Sequence, residues 1–451
     1  MTGCCAANIP HGAKALKTAA ALVILLAAAV GALCQPASPS FTKMGNGLTV
    51  ILQEDHSSDL VAVDVFVKAG SACETAKNNG VSHFIEHLLF GATRKRKAGD
   101  MDREMESVGA TLDARTTCDY AHFSTTVSSR YLAKALDVFA DALDNSEFRE
   151  ADVDRERLVI RDEVARKQTR PEAICHDLLA KAIYGGHPYA LPVEGTRESV
   201  QTITRDDILE FYHRYYVPSN MALMLVGDID KQSVISQIGQ LFQGISATAP
   251  STSDRPAVSR PVKQVTISRR ASFKSSYLAI GCLGPSGTDY EDVCATDILL
   301  TYFGMGYRSW LSEELKAKSG VIASGTVDFI TQLDPGLISI DIAATNANIP
   351  KAKDAIFARI EQIKAAGLSQ AEIDRAKRSL LGQYAFQVET VSGRSNNYGF
   401  YFAVCDPAFA VKYPDCVQSV TNEAIKRVAR RYLDANAAVV VTVGPDMEDS
   451  K

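Results

Sequence analysis

Gly80-Val81-Ser82-His83-Phe84-Ile85-Glu86-His87-Leu88-Leu89-Phe90 is the stretch from which the rest of the chain is read. If it is helical, His83 and His87, four residues apart, project from one face, and Glu86, one turn on from His83, lies between them. Two neutral imidazoles so placed can hold one zinc ion while the carboxylate stays free to handle protons. The alternative is an amphipathic core helix that keeps its polar residues on a wet face. A hydrolytic zinc site takes three protein donors and leaves a fourth position open, so one donor is missing. The charged segment from Asp152 to Arg166 offers Glu156 and Glu163. Seven residues apart, they share one helix face two turns from each other, while Asp162 points elsewhere. On spacing alone a solvated face with i,i+4 pairs is the favoured reading of that segment over a metal.

The order His-x-x-Glu-His is the inverted-zincin signature. Beyond it the chain resembles the pitrilysin/insulinase-type inverted-zincin peptidases, in particular the branch of mitochondrial processing peptidase and its bacterial relatives. The resemblance runs from about Ser40 to about Gly444. It rests on Gly80 to Phe90, on Arg155-Glu156-Arg157 leading to Glu163, and on His187-Pro188-Tyr189. It rests also on Pro192-Val193-Glu194-Gly195-Thr196 and on Asn220 to Leu223 running into Val226-Gly227-Asp228. It implies one Zn2+ per chain held by His83, His87 and Glu163, with Glu86 as general base and Glu156 supporting the site. It further implies that extended peptide substrates add as a strand along Thr111-Leu112-Asp113-Ala114-Arg115-Thr116, with Asp113 and Ala114 in contact. Asp113 stands where relatives usually carry Asn, and a carboxylate cannot replace an amide donor. The Arg and Tyr with which active relatives hold substrate and developing oxyanion fall on Ser319 and Ala323. Their absence implies a partner, a related chain carrying the Arg/Tyr loop, in a heterodimer of which this chain is the zinc-bearing member. A non-catalytic scaffold or peptide-binding subunit of the same fold is the alternative.

The chain also repeats itself. Thr204-Arg205-Asp206-Asp207-Ile208, then Tyr215-Tyr216, then Ala222 to Gly227 is matched by Thr421-Asn422-Glu423-Ala424-Ile425, then Arg431-Tyr432, then Ala438 to Gly444. Ala151 to Arg155 is matched by Ala371 to Arg375. Internal duplication of a large unit explains this. Carried forward, it sets Gln383 against Glu163 and Ala376 against Glu156. The second half contains no His, because His213 is the last of the eight. The expected fold class is therefore α+β: two homologous mixed αβ domains, from internal duplication, forming a clamshell around a zinc site, with only the first half bearing metal. The boundaries expected are 40–245 for the zinc-bearing domain, 246–262 for a small-residue linker and 263–446 for the second domain.

Composition narrows the rest. A chain of 451 residues exceeds what one core usually supports. Its net charge of −5 leaves no basic footprint for nucleic acid. The one dense basic run, Arg94-Lys95-Arg96-Lys97, is expected to be a solvated loop. No acidic residue precedes Glu54, and Lys14 and Lys17 lead into an apolar run from Ala19 to Leu33. That pattern is read as a signal peptide over residues 1–35, and hence an exported protein, periplasmic or secreted. The alternatives are a membrane anchor, if the apolar run is retained, or mitochondrial targeting. Past the apolar run and Cys34 seven Cys remain. Cys282/Cys294 or Cys405/Cys416 could bridge, although buried free thiols are the favoured reading.

Overall fold

The computed structural model describes residues 37–245 and 255–445, so the apolar N-terminal run and the stretch 246–254 lie outside it. Among the described residues no helix is long and apolar enough to cross a membrane.

Among the described residues eleven strands form two sheets. The first contains β1 (Ser40–Lys43), β2 (Thr49–Glu54), β3 (Leu60–Val67), β4 (Asp113–Thr116), β5 (Ala121–Ser128) and β6 (Met221–Gly227), in the order β1-β2-β6-β3-β5-β4. The second contains β7 (Val265–Arg270), β8 (Ser276–Leu283), β9 (Ser324–Phe329), β10 (Leu337–Ala344) and β11 (Val439–Gly444), in the order β7-β11-β8-β10-β9. Apart from β1 the two orders are the same. In each, one parallel pair (β2 with β6, β7 with β11) is followed by antiparallel pairs out to the far edge. β2 and β3, consecutive in the chain, do not pair, because the wholly buried β6 lies between them. The chain thus consists of two homologous mixed αβ domains.

Seven helices build the site and the contacts between the halves: α1 (Val81–Leu88), α2 (Glu150–Lys167), α3 (Pro171–Tyr184), α4 (Tyr290–Gly304), α5 (Gln370–Gln387), α6 (Val391–Val404) and α7 (Phe409–Ser419). α2 and α5 are both 18 residues long, and α3 and α6 both 14, as a duplication requires. Yet α3, from the first half, packs on β8 and β11 of the second sheet, and α6, from the second half, packs on β3 and β6 of the first. Glycine permits both approaches. A Cβ on Gly281 in β8 would come within 2.8 Å of Leu179 and Ile183, and one on Gly399 in α6 within 2.1 Å of the Phe66 ring. Polar ties reinforce the second contact: Ser395 Oγ donates to Asp64 at 2.5 Å, Tyr398 OH to Gln53 at 3.2 Å, and Arg394 pairs with Asp55. The two halves therefore share their cores.

One local expectation needs correcting, and the favoured reading of the cysteines holds. The basic run is not simply solvated. The Arg96 side chain is only 12% exposed and is clamped by Glu104 at 3.0 Å, Asp137 at 2.6 Å and Asp141 at 2.9 Å. A guanidinium has five donors in a fixed fork, and three carboxylates use them here. The described cysteines are all free thiols. Moreover, the thiol that Cys294 on α4 touches is that of Cys416 on α7, not a neighbour in sequence.

Candidate metal centre

α1 begins at Gly80, whose φ of 100° is a left-handed conformation open to glycine, and no side chain at that residue caps the helix. The exposed N–H groups are satisfied from further back in the chain. The Glu74 carboxylate, 4% exposed, accepts from Gly80 N at 2.8 Å, Ser82 N at 2.8 Å and Asn79 Nδ2 at 2.9 Å, and from the Ser82 hydroxyl. A negative group at a helix N-terminus is where the helix dipole favours it. Glu74 fixes the start of the helix that carries both histidines. It carries no periodic signal in the sequence. The clue available there is that Gly80, at the entry to an apolar helix, brings no capping side chain of its own.

α1 packs against α2, which brings three donors together. Glu163 Oε2 lies 3.7 Å from His83 Nε2 and 3.5 Å from His87 Nε2. The ligand atoms of the three residues all fall within 4.8 Å of one another, the one such metal-capable group among the described residues. Tetrahedral zinc with bonds of about 2.0–2.1 Å has ligand atoms roughly 3.4 Å apart, so the spacing suits that ion. The chemistry suits it as well. His87 Nδ1 is 3.2 Å from Glu156 Oε2. A carboxylate only accepts, so Nδ1 bears the proton and Nε2 turns its lone pair toward the Glu163 carboxylate. Two lone pairs facing each other at that distance call for a cation between them. Burial, and then the neighbouring His87, push His83 down to about 4, which keeps its imidazole neutral as a ligand must be. Glu86 stays outside this trio, with Oε1 4.0 Å from His83 Nε2 and a side chain 18% exposed.

The remaining candidates lie elsewhere. β4 is the free edge of the first sheet and runs alongside α1. Ala114 packs on the first-half core, whereas Asp113 is exposed and lines a separate polar recess with Asp64, His122 and Gly393. The recess does not include the metal donors. In the second half, the α5 residues at the positions of Glu156 and Glu163 are the buried Ala376 and the exposed Gln383. Ser319 turns its hydroxyl back to Leu315 O at 3.0 Å, and Ala323 is a β-bonded residue with its N–H on Ala343 O at 2.8 Å. His187-Pro188-Tyr189 joins the halves and takes no part in the metal trio. The Tyr189 hydroxyl donates to the buried Asp119 at 2.6 Å, Arg255 binds Asp119 at 2.9 Å and Asp334 at 3.1 Å, and His187 is 3.4 Å from Asp334.

Comparison with known proteins agrees with this architecture. Residues 49–197 match the family described as Insulinase (Peptidase family M16), and residues 202–380 match the Peptidase M16 inactive domain. An uncharacterized zinc protease of Mycobacterium leprae, ML0855, is 29% identical over 420 residues, covering 90% of this chain and 91% of that protein. Zinc protease PqqE of Helicobacter pylori is 25% identical over 439 residues, covering 96% and 98%. Among solved structures, a protease from Helicobacter pylori superimposes with a TM-score of 0.85 at 23% identity, covering 90% of this chain and 99% of that one. The first half of the periplasmic protease PqqL from Escherichia coli gives 0.72 at 18% identity, covering 90% and 92%. At these identities the structural likenesses speak for the fold.

Proposed function

The chain belongs to the insulinase (M16) peptidase family, and from that premise we propose that it is a zinc-dependent endopeptidase acting on extended peptides. The observation that carries this reading is the trio His83, His87 and Glu163, with donor atoms 3.5 and 3.7 Å apart and Glu86 beside them. Zinc bound there supplies the Lewis acidity that activates water and polarises a carbonyl. The chain's own residues do the rest. Glu86 takes the proton of the attacking water and passes it to the leaving amine. Glu156 holds the His87 ring in the tautomer that leaves Nε2 free. The free edge of β4 offers main-chain N–H and C=O groups to an extended substrate, a mode that binds backbone and tolerates many side chains.

Ser319 and Ala323 favour a second component. Neither side chain supplies the cation or phenol that would stabilise an oxyanion, and loss of one such donor typically costs about 10²–10³ in rate. The reading therefore includes a related partner chain that brings an Arg and a Tyr to this zinc, and export to the compartment where both meet their peptides. A peptide-binding subunit without turnover is the competing reading, and the same two positions favour it.

The test is zinc content and peptide cleavage by the purified chain, alone and mixed with a co-expressed relative. Near-stoichiometric zinc, cleavage abolished by chelation, and zinc retained but cleavage lost in Glu86→Gln are expected. Zinc-free protein that never encountered chelator would end the metallopeptidase reading. Full turnover by the single chain, unchanged by the partner, would end the shared-site reading.

A further inference from the structure

β4 carries opposite charges on one face. Asp113 and Arg115 alternate with Ala114 and Thr116, and the first two are exposed while the others are half-buried. Asp113 stands opposite Ser124 and Arg115 opposite His122 on β5. The other edge of β4 has no strand. The Arg115 guanidinium makes no hydrogen bond or ion pair among the described residues. It lines a cavity of about 480 Å³ together with Thr116, with Asp328 and Phe329 of β9, the edge strand of the second sheet, and with Phe400. Asp113 faces the polar recess instead. An unpaired guanidinium and an unpaired carboxylate two residues apart, on a strand with an open edge, form a charge pattern that an added strand would read residue by residue.

We propose that Asp113 and Arg115 select the side chains of the bound peptide: an acidic residue opposite Arg115 and a basic one opposite Asp113, with one residue between. This rests on the edge-strand reading of substrate binding and names its substrate class. β5 runs against both β3 and β4, and an added strand that continues this alternation runs against β4. It meets Arg115 before Asp113, so the motif from N to C is acid-x-base. Directly opposed residues of antiparallel strands hold their Cβ atoms about 4.5–5.5 Å apart, close enough for opposite charges to attract and like charges to repel. Asp328, which lines the same cavity, offsets Arg115 in its overall charge. Selection is therefore by position and not by the net charge of the peptide.

Two labelled peptides of identical composition separate these ideas: Glu-x-Lys and Lys-x-Glu in the same extended Thr/Val frame. Their binding to the zinc-loaded full chain carrying Glu86→Gln is read by fluorescence anisotropy, so that no cleavage is needed. The expected result is about tenfold tighter binding of Glu-x-Lys, from two attractive pairs in place of two repulsive ones. The double substitution Asp113→Lys with Arg115→Glu should reverse the order, and Ala at both positions should abolish it. Equal binding of the two isomers, a preference that survives the charge swap, or no binding of either would overturn the proposal. Cleavage of the same peptides by the chain with Glu86 intact reports separately on catalysis. A binding preference without cleavage, alone and with the co-expressed relative present, would sink the peptidase reading and leave this one standing.

Discussion

Glu156 Oε2 and His87 Nδ1 are 3.2 Å apart across the contact between α2 and α1, and the side chains of both are 17% exposed. The carboxylate thereby sets which nitrogen of the imidazole can face the donor trio. Arg155 holds the other oxygen of Glu156 at 3.1 Å, so the carboxylate is itself oriented. Glu156→Ala should weaken zinc binding about 10–100-fold, the usual cost of losing such a partner, with Glu156→Gln in between. Competition with a chromophoric chelator measures it. An unchanged zinc Kd in the Ala variant would leave Glu156 a bystander.

Glu74 gives a prediction about stability. Glu74→Ala strands the N–H groups of Gly80 and Ser82 and one of the two Asn79 amide hydrogens, the other being held by Pro192 O at 2.9 Å, in a buried place. At about 1–3 kcal/mol for each unsatisfied group, the loss should reach at least about 3 kcal/mol. Glu74→Gln keeps an acceptor and loses the charge, so its loss should be smaller. Urea unfolding of the metal-free variants gives both numbers. Equal losses in the two would show that a neutral acceptor recovers nothing and that the charge carries the stabilisation; no loss in the Gln variant would show that the charge contributes nothing.

Asp297, on α4, predicts a pH dependence. Burial pushes its carboxyl up to about 6, against the Tyr413 hydroxyl donated to it at 2.6 Å. The folded-state pKa lies above the unfolded one, so the folded protein holds this proton more tightly. The stabilisation from Asp297 is fully present below about pH 4 and is lost as pH rises through about 6. Asp297→Asn, which keeps an acceptor for Tyr413 without ionising, should be neutral at pH 4 and stabilising by on the order of 2 kcal/mol at pH 7. Denaturant unfolding of both proteins across that range is the check. A difference that does not change with pH would mean that the carboxyl titrates normally.

The contact of Gly399 with Phe66 predicts coupling between the halves. Gly399→Val places carbon where the Phe66 ring lies, and overpacking of this kind typically costs about 1–3 kcal/mol. Phe66→Ala in the same chain should recover part of that loss, because it removes the ring that clashes. A double mutant no better than the worse single one would argue that the strain is relieved elsewhere.

How far the sequence reaches depends on whether a feature is periodic. That His83 and His87 share a face, and Glu156 and Glu163 another, follows from the helix repeat alone, and those faces do meet. The duplicated Thr204 and Thr421 were legible because a hydroxyl cap before a helix has few substitutes. Both cap their helices, Thr204 accepting from Asp207 N and Thr421 from Ala424 N. Glu74 was not legible, because an acceptor that reaches a helix start across six residues leaves no repeat. The exchange of α3 and α6 was hidden for a related reason: the apolar face of a helix says that it must be covered, not by which sheet. Arg96 looked solvated because its three carboxylates come from two other helices. Cys294 and Cys416 meet only because α4 packs on α7, a contact more than a hundred residues long in sequence that no spacing announces.

The exchange of α3 and α6 has a meaning for the origin and unfolding of the chain. Two copies of one unit, each lending a helix to the other's sheet, have the form of a domain-swapped dimer whose subunits were later joined end to end. A half released from its companion would expose the sheet face that the borrowed helix covers and carry an orphaned helix of its own. The covalent link between the halves is then not what keeps them together. A protease that cut it would convert one chain into two without separating them, and only unfolding would let them part.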